Sequence, residues 1–224
     1  MKITPTILEK TSQDLENTLA KLSPYFDHFQ IDIADGKLVP NKTASIEEIS
    51  EKGNLPNNLI YDFHLMVIGY EKTIQELLTI SKGITIDTIF VHSVIQANVN
   101  KLMTHYSNFR FGLAINPEEN IETIGYKYNL KSIKAIQIMS VNPGFQGSPF
   151  MKETLNKIEQ LRSYDYKDLI YLDGGVNEKT LPIILSSKFK PDVVCPGSYF
   201  TKAGNLEENV SLIKKLLTST EEKA

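Results

Sequence analysis

The sequence predicts an α/β chain closed into a barrel of eight βα units, and three observations carry that expectation. Strand-like runs begin near Lys2, His28, Ile60, Thr88, Phe109, Ala135, Leu169 and Asp192. Helical patterns separate them, at an average repeat of about 27 residues. Three late strands release glycine-rich turns: Ser140-Val141-Asn142-Pro143-Gly144-Phe145-Gln146-Gly147, Asp173-Gly174-Gly175 and Cys195-Pro196-Gly197-Ser198. Loops in those positions are where an eight-fold barrel builds a phosphate site. The chain has 224 residues, enough for one domain with a sizeable core and a little under the roughly 250 typical of a TIM barrel. A doubly wound open sheet is the competing architecture. It would carry a nucleotide loop after its first strand, and here that strand runs into Leu8-Glu9-Lys10-Thr11 without a glycine.

Each unit has its own local justification. After the first strand, Thr11 and Asp14 form a capping box ahead of Leu15, Leu19 and Leu22. The second strand reads His28-Phe29-Gln30-Ile31-Asp32-Ile33. Period two sets His28, Gln30 and Asp32 on one face and turns Phe29, Ile31 and Ile33 toward the helices. The third, Asp62-Phe63-His64-Leu65-Met66, gives Asp62, His64 and Met66 a common face. Gly53 and Gly83 sit where left-handed C-terminal residues close helices. The fourth strand ends at His92, near the mouth. Asn116-Pro117 supplies an N-cap and an N1 proline, with Glu119 at N3. The sixth strand ends at Met139, and a helical pattern starts after its loop, at Met151. The seventh closes on Asp173, and Asn177 caps the helix that carries Leu181, Ile184 and Leu185. No linker or second domain interrupts the pattern. The barrel is expected over residues 1–218, with 219–224 a frayed tail.

Composition narrows the function class. Hydrophobic residues make up 41% and charged residues 23%, as in soluble globular proteins. A formal net charge of -3 provides no broad basic field, so nucleic acid is not an expected partner. No apolar run approaches the roughly 20 residues that span a bilayer. The opening Met1-Lys2-Ile3-Thr4-Pro5 is too polar for a signal segment. The single cysteine, Cys195, excludes an internal disulfide, and its apolar strand makes it a small core residue. A cytoplasmic enzyme domain is the expectation.

Polar residues at the C-terminal ends of barrel strands are the catalytic candidates. Asp32, His64 and Asp173 end three such strands. One imidazole and two carboxylates make a three-ligand site with open positions for a catalytic divalent ion. The alternative is a structural hydrogen-bond network among Gln30, Asp32, Asp62 and His64. His28 lies roughly 13 Å from Asp32 at the rise of a strand, at the barrel floor, and reads as a core histidine. His105 falls on an exposed helix pattern. His92 is placed to touch substrate or to act through a neighbour.

These residues resemble the ribulose-phosphate 3-epimerase family over essentially the whole chain. The matching segments are Pro5-Thr6-Ile7-Leu8, Asp32-Ile33-Ala34-Asp35-Gly36, Val39-Pro40-Asn41, Asp62 to Met66, Met139 to Phe145, and Asp173-Gly174-Gly175. The resemblance implies a barrel of the ribulose-phosphate-binding type, a divalent metal (manganese, magnesium, iron or zinc) and inversion at C3 of a pentulose 5-phosphate. It implies that Asp32 and Asp173 are the two proton-transfer acids and also metal ligands, joined by His64. Met66 and Met139 would line an apolar cap, and Thr6 would touch substrate. Gly144, Phe145, Gln146, Gly147, Gly174, Gly175, Gly197 and Ser198 would hold the phosphate. A homo-oligomer is the implied assembly.

Two carboxylates on opposite sides of a planar enediolate can remove a proton from one face and return one to the other. A divalent cation would stabilise the enediolate and relieve repulsion between the acids. The chain departs from the family pattern at several positions. Gln30 stands where the family has a second metal-binding histidine, making it a possible but weaker ligand. Ala34 replaces a bulky methionine and is expected to enlarge the pocket. Lys37 replaces a histidine, and Gln146 and Ser148 replace a glycine and a glutamine. The expected reaction interconverts D-ribulose 5-phosphate and D-xylulose 5-phosphate. A related ketose phosphate such as allulose 6-phosphate, or a non-catalytic sugar-phosphate-binding role, are the alternatives.

Overall fold

A computed structural model describes residues 1–52 and 55–221. Its strands are β1 (Lys2–Ile3), β2 (Thr6–Ile7), β3 (His28–Ala34), β4 (Ile60–Met66), β5 (Thr85–His92), β6 (Arg110–Ile115), β7 (Ala135–Met139), β8 (Leu169–Asp173) and β9 (Val193–Cys195). All pair in parallel, in the order β1-β9-β8-β7-β6-β5-β4-β3-β2. The sheet closes because its two ends belong to one stretch of chain. β1 pairs with β9, and β2, just after Pro5, pairs with β3. Pro5 has no N–H to donate, but its carbonyl accepts from the Gln30 amide at 2.9 Å, while Thr4 and Thr6 donate to Val194 and Pro196. Counted as one strand, β1 and β2 complete the eight of a (β/α)8 TIM barrel.

The helices are α1 (Ser12–Leu22), α2 (Ile46–Lys52), α3 (Tyr70–Ile80), α4 (Val99–His105), α5 (Ile121–Lys127), α6 (Leu155–Ser163), α7 (Leu181–Ser186), α8 (Ser198–Thr201) and α9 (Leu206–Glu221). The period-two pattern separates two apolar layers. Phe29, Ile31, Phe63, Leu65, Ile89 and Leu113 face the helices in the main core. Phe90, Ala114, Ala135, Tyr171, Val193 and Cys195 fill the barrel itself. Gly112 makes room for that filling, since a Cβ there would lie 2.4 Å from the Phe90 ring.

Several local expectations change on folding. The Thr11 cap forms as read: its hydroxyl accepts from the Asp14 amide at 3.1 Å and donates to the Asp14 carboxylate at 2.7 Å. Asn116-Pro117 does not open a helix. Glu119 instead uses its carboxylate to take the Asn116 amide at 2.8 Å and the Ser93 hydroxyl at 2.6 Å, so the segment becomes a turn tying two loops together. α5 starts after Asn120, whose side chain accepts from Glu122 at 2.8 Å. Asn177 accepts from the amides of Lys179 and Thr180, capping the turn that leads into α7. Gly83 does not adopt positive φ, because α3 closes on Ser81, which bonds back to Leu77. Gly53 lies outside the described residues. α9 continues past residue 218 to Glu221, so the start of the expected tail is helical. No helix among the described residues is long and apolar enough to cross a membrane.

The barrel floor holds a second charged group. His28 Nε2 meets Asp62 Oδ2 at 3.0 Å, and Asp62 also accepts the Thr88 amide at 2.9 Å. His28 is therefore ion-paired and partly exposed rather than a core histidine, and Asp62 does not join the network at the mouth. Burial opposes the charge on His28, but Asp62 outweighs it and the imidazole titrates above 6.5. A raised folded value means that this stabilisation is full below pH 6.5 and is lost as pH rises through the folded value. His28→Asn should destabilise the fold by about 3 kcal/mol, since it strands a buried carboxylate. It should also flatten the fall in Tm above neutral pH. An unchanged melting profile across that pH range would refute the pairing.

Candidate active site

Register sets the mouth of the barrel. Asp32 on β3 lies opposite His64 on β4, and Asp173 on β8 lies between Met139 on β7 and Cys195 on β9. Their side chains converge over the apolar filling. His64 Nδ1 is 3.1 Å from Asp32 Oδ1 and 3.6 Å from Asp173 Oδ2. Ligand atoms of Asp32, His64 and Asp173 all lie within 4.8 Å of one another, and all three residues are buried. The donor set of two carboxylates and one imidazole suits a divalent ion.

Gln30 takes a different part from the ligand role open to it in the sequence. Its amide nitrogen, which has no lone pair to give a metal, donates to Asp173 Oδ2 at 2.7 Å and to Asp32 Oδ1 at 3.3 Å. It also reaches the Thr6 hydroxyl at 3.3 Å. The amide oxygen faces away, toward the Cys195 thiol at 3.8 Å. With two carboxylates crowded together, the end of the amide that carries hydrogens turns toward them. Gln137 on β7 adds a second amide donor to Asp173 Oδ2, at 2.9 Å. Sequence reading missed Gln137, although period two places it on the barrel face between Ala135 and Met139.

Electrostatics separates the titrating groups. Burial and the neighbouring Asp32 carboxylate push Asp173 up to about 7, against the pull of His64, Gln30 and Thr6. Burial works against charge on His64 too, but the Asp32 hydrogen bond and the two carboxylates raise its value. His92 stacks on His64 with ring centroids 4.9 Å apart and shares one hydrogen bond with it, Nε2 to Nε2, at 2.8 Å. Burial and the charge of His64 hold His92 well below 6.5. His92 is thus the neutral partner; it meets His64 and is not among the residues that line the cavity.

A cavity of about 310 Å³ opens above these groups. Thr6, Asp32, His64, Met66, Met139 and Asp173 line its depth. Gly144, Phe145, Gln146, Gly147, Gly174, Gly175, Gly197 and Ser198 also line it, with Glu178 and Lys179 among the remaining lining residues. The glycine loops are built for close approach. Gly174 has φ of 113°, and a Cβ there would lie 2.4 Å from Val141. Ser140 donates to the Gly174 carbonyl at 2.7 Å, Asn41 to that of Gly144 at 2.7 Å and Thr180 to that of Gly175 at 2.7 Å. With these carbonyls engaged, the loops are left with N–H groups to offer a ligand. α8 is a single turn, so its contribution is the free amides of its first residues rather than a macrodipole.

Ala34 lies behind the cavity wall. It is 4% exposed, packs with Val39, Met66, Leu8 and Leu38, and is not among the lining residues. Asp35 organises the loop beyond it, accepting from the amides of Lys37 at 2.8 Å, Leu38 at 3.1 Å and Ile68 at 3.0 Å. Lys37 contributes its backbone to that turn, and its side chain is exposed.

A closed barrel that gathers two carboxylates, an imidazole and three glycine loops around one cavity has the build of a TIM-barrel enzyme. Over residues 2–200 the chain matches the Ribulose-phosphate 3 epimerase family, and it belongs to that family. It is an isomerase of the epimerase kind. A ribulose-phosphate 3-epimerase of Helicobacter pylori is 29% identical over 212 residues, covering 91% of this chain and 92% of the relative. One from Schizosaccharomyces pombe is 26% identical over 225 residues, covering 99% and 96%. The fold is also that of 3-hexulose-6-phosphate synthase from Salmonella typhimurium, with TM-score 0.69, 15% identity, and 98% and 100% of the two chains covered. 3-keto-L-gulonate-6-phosphate decarboxylase from Vibrio cholerae shares it with TM-score 0.66, 13% identity, and coverage of 98% and 99%.

Proposed function

We propose that the protein interconverts D-ribulose 5-phosphate and D-xylulose 5-phosphate by proton exchange at C3, with Asp32 and Asp173 as the two acids. The observation that carries this reading is the convergence of the two acids, from β3 and β8, on one imidazole at the cavity floor. In one direction Asp32 takes the C3 proton and Asp173 delivers one to the opposite face; the roles exchange in the other direction. Asp173, raised to about 7, is suited to hold a proton near neutral pH. Gln30 and Gln137 fix the orientation of its carboxylate. Met66 and Met139 keep the reacting carbons dry, and the glycine loops hold the phosphate through N–H groups. Asp32, His64 and Asp173 would hold a divalent ion, whose positive charge would stabilise the enediolate and reduce repulsion between the acids.

Turnover of D-ribulose 5-phosphate, allulose 6-phosphate and unphosphorylated ribulose by the purified protein tests the reading. The pentulose phosphate should be the best substrate and the free sugar a very poor one, and inorganic phosphate should raise Tm by a few degrees. Equal rates with and without the phosphate would overturn the assignment of the glycine loops. Absence of turnover on all three, with phosphate still bound, would point to the non-catalytic role.

A further inference from the structure

We propose that His92 is a positioning residue for the metal site: by accepting a hydrogen bond from His64 Nε2, it keeps the Nδ1 lone pair of His64 free for an ion. This rests on the reading of Asp32, His64 and Asp173 as metal ligands and adds to it a residue outside the cavity. A row of polar side chains crosses the barrel mouth from β3 to the end of β6. Asp32 pairs with His64, and His64 pairs with Phe90, two residues before His92. His92 pairs in turn with Ala114, two residues before Asn116. Period two keeps Asp32, His64 and His92 on the barrel face, and all four polar residues are buried. His64 Nε2 and His92 Nε2 lie 2.8 Å apart, with the rings stacked.

Two ring nitrogens at that distance hold one proton between them, and its position decides what His64 can do. With the proton on His92, a neutral His64 carries its own on Nδ1, 3.1 Å from Asp32 Oδ1 and 3.6 Å from Asp173 Oδ2. That nitrogen then has no lone pair to give. With the proton on His64 Nε2, Nδ1 presents its lone pair to the space the two carboxylates share. Asn116 selects the second arrangement. Its side chain bonds to His92 in the sense that favours a proton on the ring, so the amide oxygen is the acceptor. Because Nε2 faces His64, the donor is Nδ1. His92 Nδ1 and Asn116 Oδ1 are both buried and have no other hydrogen-bond partner among the described residues. A neutral imidazole protonated on Nδ1 can only accept at Nε2. Glu119 closes the turn that carries Asn116, taking its amide at 2.8 Å and donating to its carbonyl at 3.2 Å. A hydrogen bond on the far nitrogen of a ligating histidine fixes its tautomer and ring orientation.

Nitrogen NMR of the zinc-loaded full chain, with its histidines isotopically labelled, reads both rings and needs no substitution. The protons should sit on Nε2 of His64 and on Nδ1 of His92. A proton on His92 Nε2 overturns the proposal. Calorimetric titration of apo-protein with manganese measures the consequence for the ion. His92→Phe should weaken manganese binding about 10- to 100-fold. His92→Gln, which can set an amide oxygen where Nε2 stands, should recover most of that loss. Asn116→Leu leaves the His64 contact in place and should lose a smaller factor in the same direction. Affinity for inorganic phosphate should stay at the wild-type level in each variant, and melting of the apo-proteins verifies that each is folded. Manganese affinity unchanged in His92→Phe, or lowered equally in His92→Phe and His92→Gln, overturns the proposal and leaves His92 as packing around His64. A wild type that binds neither manganese nor zinc overturns the metal reading and the proposal with it.

Discussion

Asp32→Asn and Asp173→Asn should each lower kcat by about 10²–10⁴-fold, the range a positioned acid or base contributes, and each should leave the barrel folded. In the proposed mechanism both acids work on one intermediate from opposite faces, so neither could stand in for the other. Asparagine keeps the size of the side chain. At position 173 its amide oxygen can still accept from Gln30 and Gln137, the two donors that now meet at Oδ2. It also removes a charge whose ionisation is opposed by burial and by Asp32, so melting should show no loss of stability at position 173. Steady-state kinetics on D-ribulose 5-phosphate with melting curves on the same preparations makes the comparison. Near-normal turnover in either variant would refute the two-acid mechanism. An inactive variant that melts well below the wild type would reassign the residue to structure.

The parts of the site that sequence could deliver were those set by periodicity. Asp32 and His64 share the barrel face because each strand alternates, and parallel pairing then puts them opposite one another. The same alternation predicts Gln137, which only an apolar neighbourhood conceals. What sequence could not deliver was the orientation of groups with two chemically different ends, or partners recruited over long range. Gln30 can present an oxygen or an NH₂, and the neighbouring carboxylates decide between them only after β8 is in place. Glu119 reads as an N3 acid, yet Ser93, brought beside it by the pairing of β5 and β6, draws the carboxylate away and α5 starts later. Ala34 reads as a vacancy until Val39 and Leu38 fold back over it.

Gln30→His should tighten zinc binding about 10- to 100-fold, the scale on which changes close to a bound metal act. In the wild type the Gln30 side chain lies between the two carboxylates, 2.7 Å from Asp173 and 3.3 Å from Asp32. To ligate an ion it must rotate, giving up its donated bonds to Asp173, Asp32 and Thr6 and the thiol contact of Cys195, and it then offers only an amide oxygen. An imidazole from the same backbone position would bring a nitrogen lone pair to an ion held by Asp32, His64 and Asp173, completing a four-ligand set that zinc favours. With three strong ligands the wild type should hold its ion more weakly, lose it to mild chelation and respond best to manganese, magnesium or ferrous iron. Calorimetric titration of apo-protein with manganese and with zinc, wild type against Gln30→His, reads the difference directly and does not depend on turnover. Equal zinc affinity in the two would mean that position 30 does not reach the ion. If the wild type binds neither metal and its epimerase activity is undiminished by chelator, metal assistance is ruled out. The enediolate would then need another stabiliser.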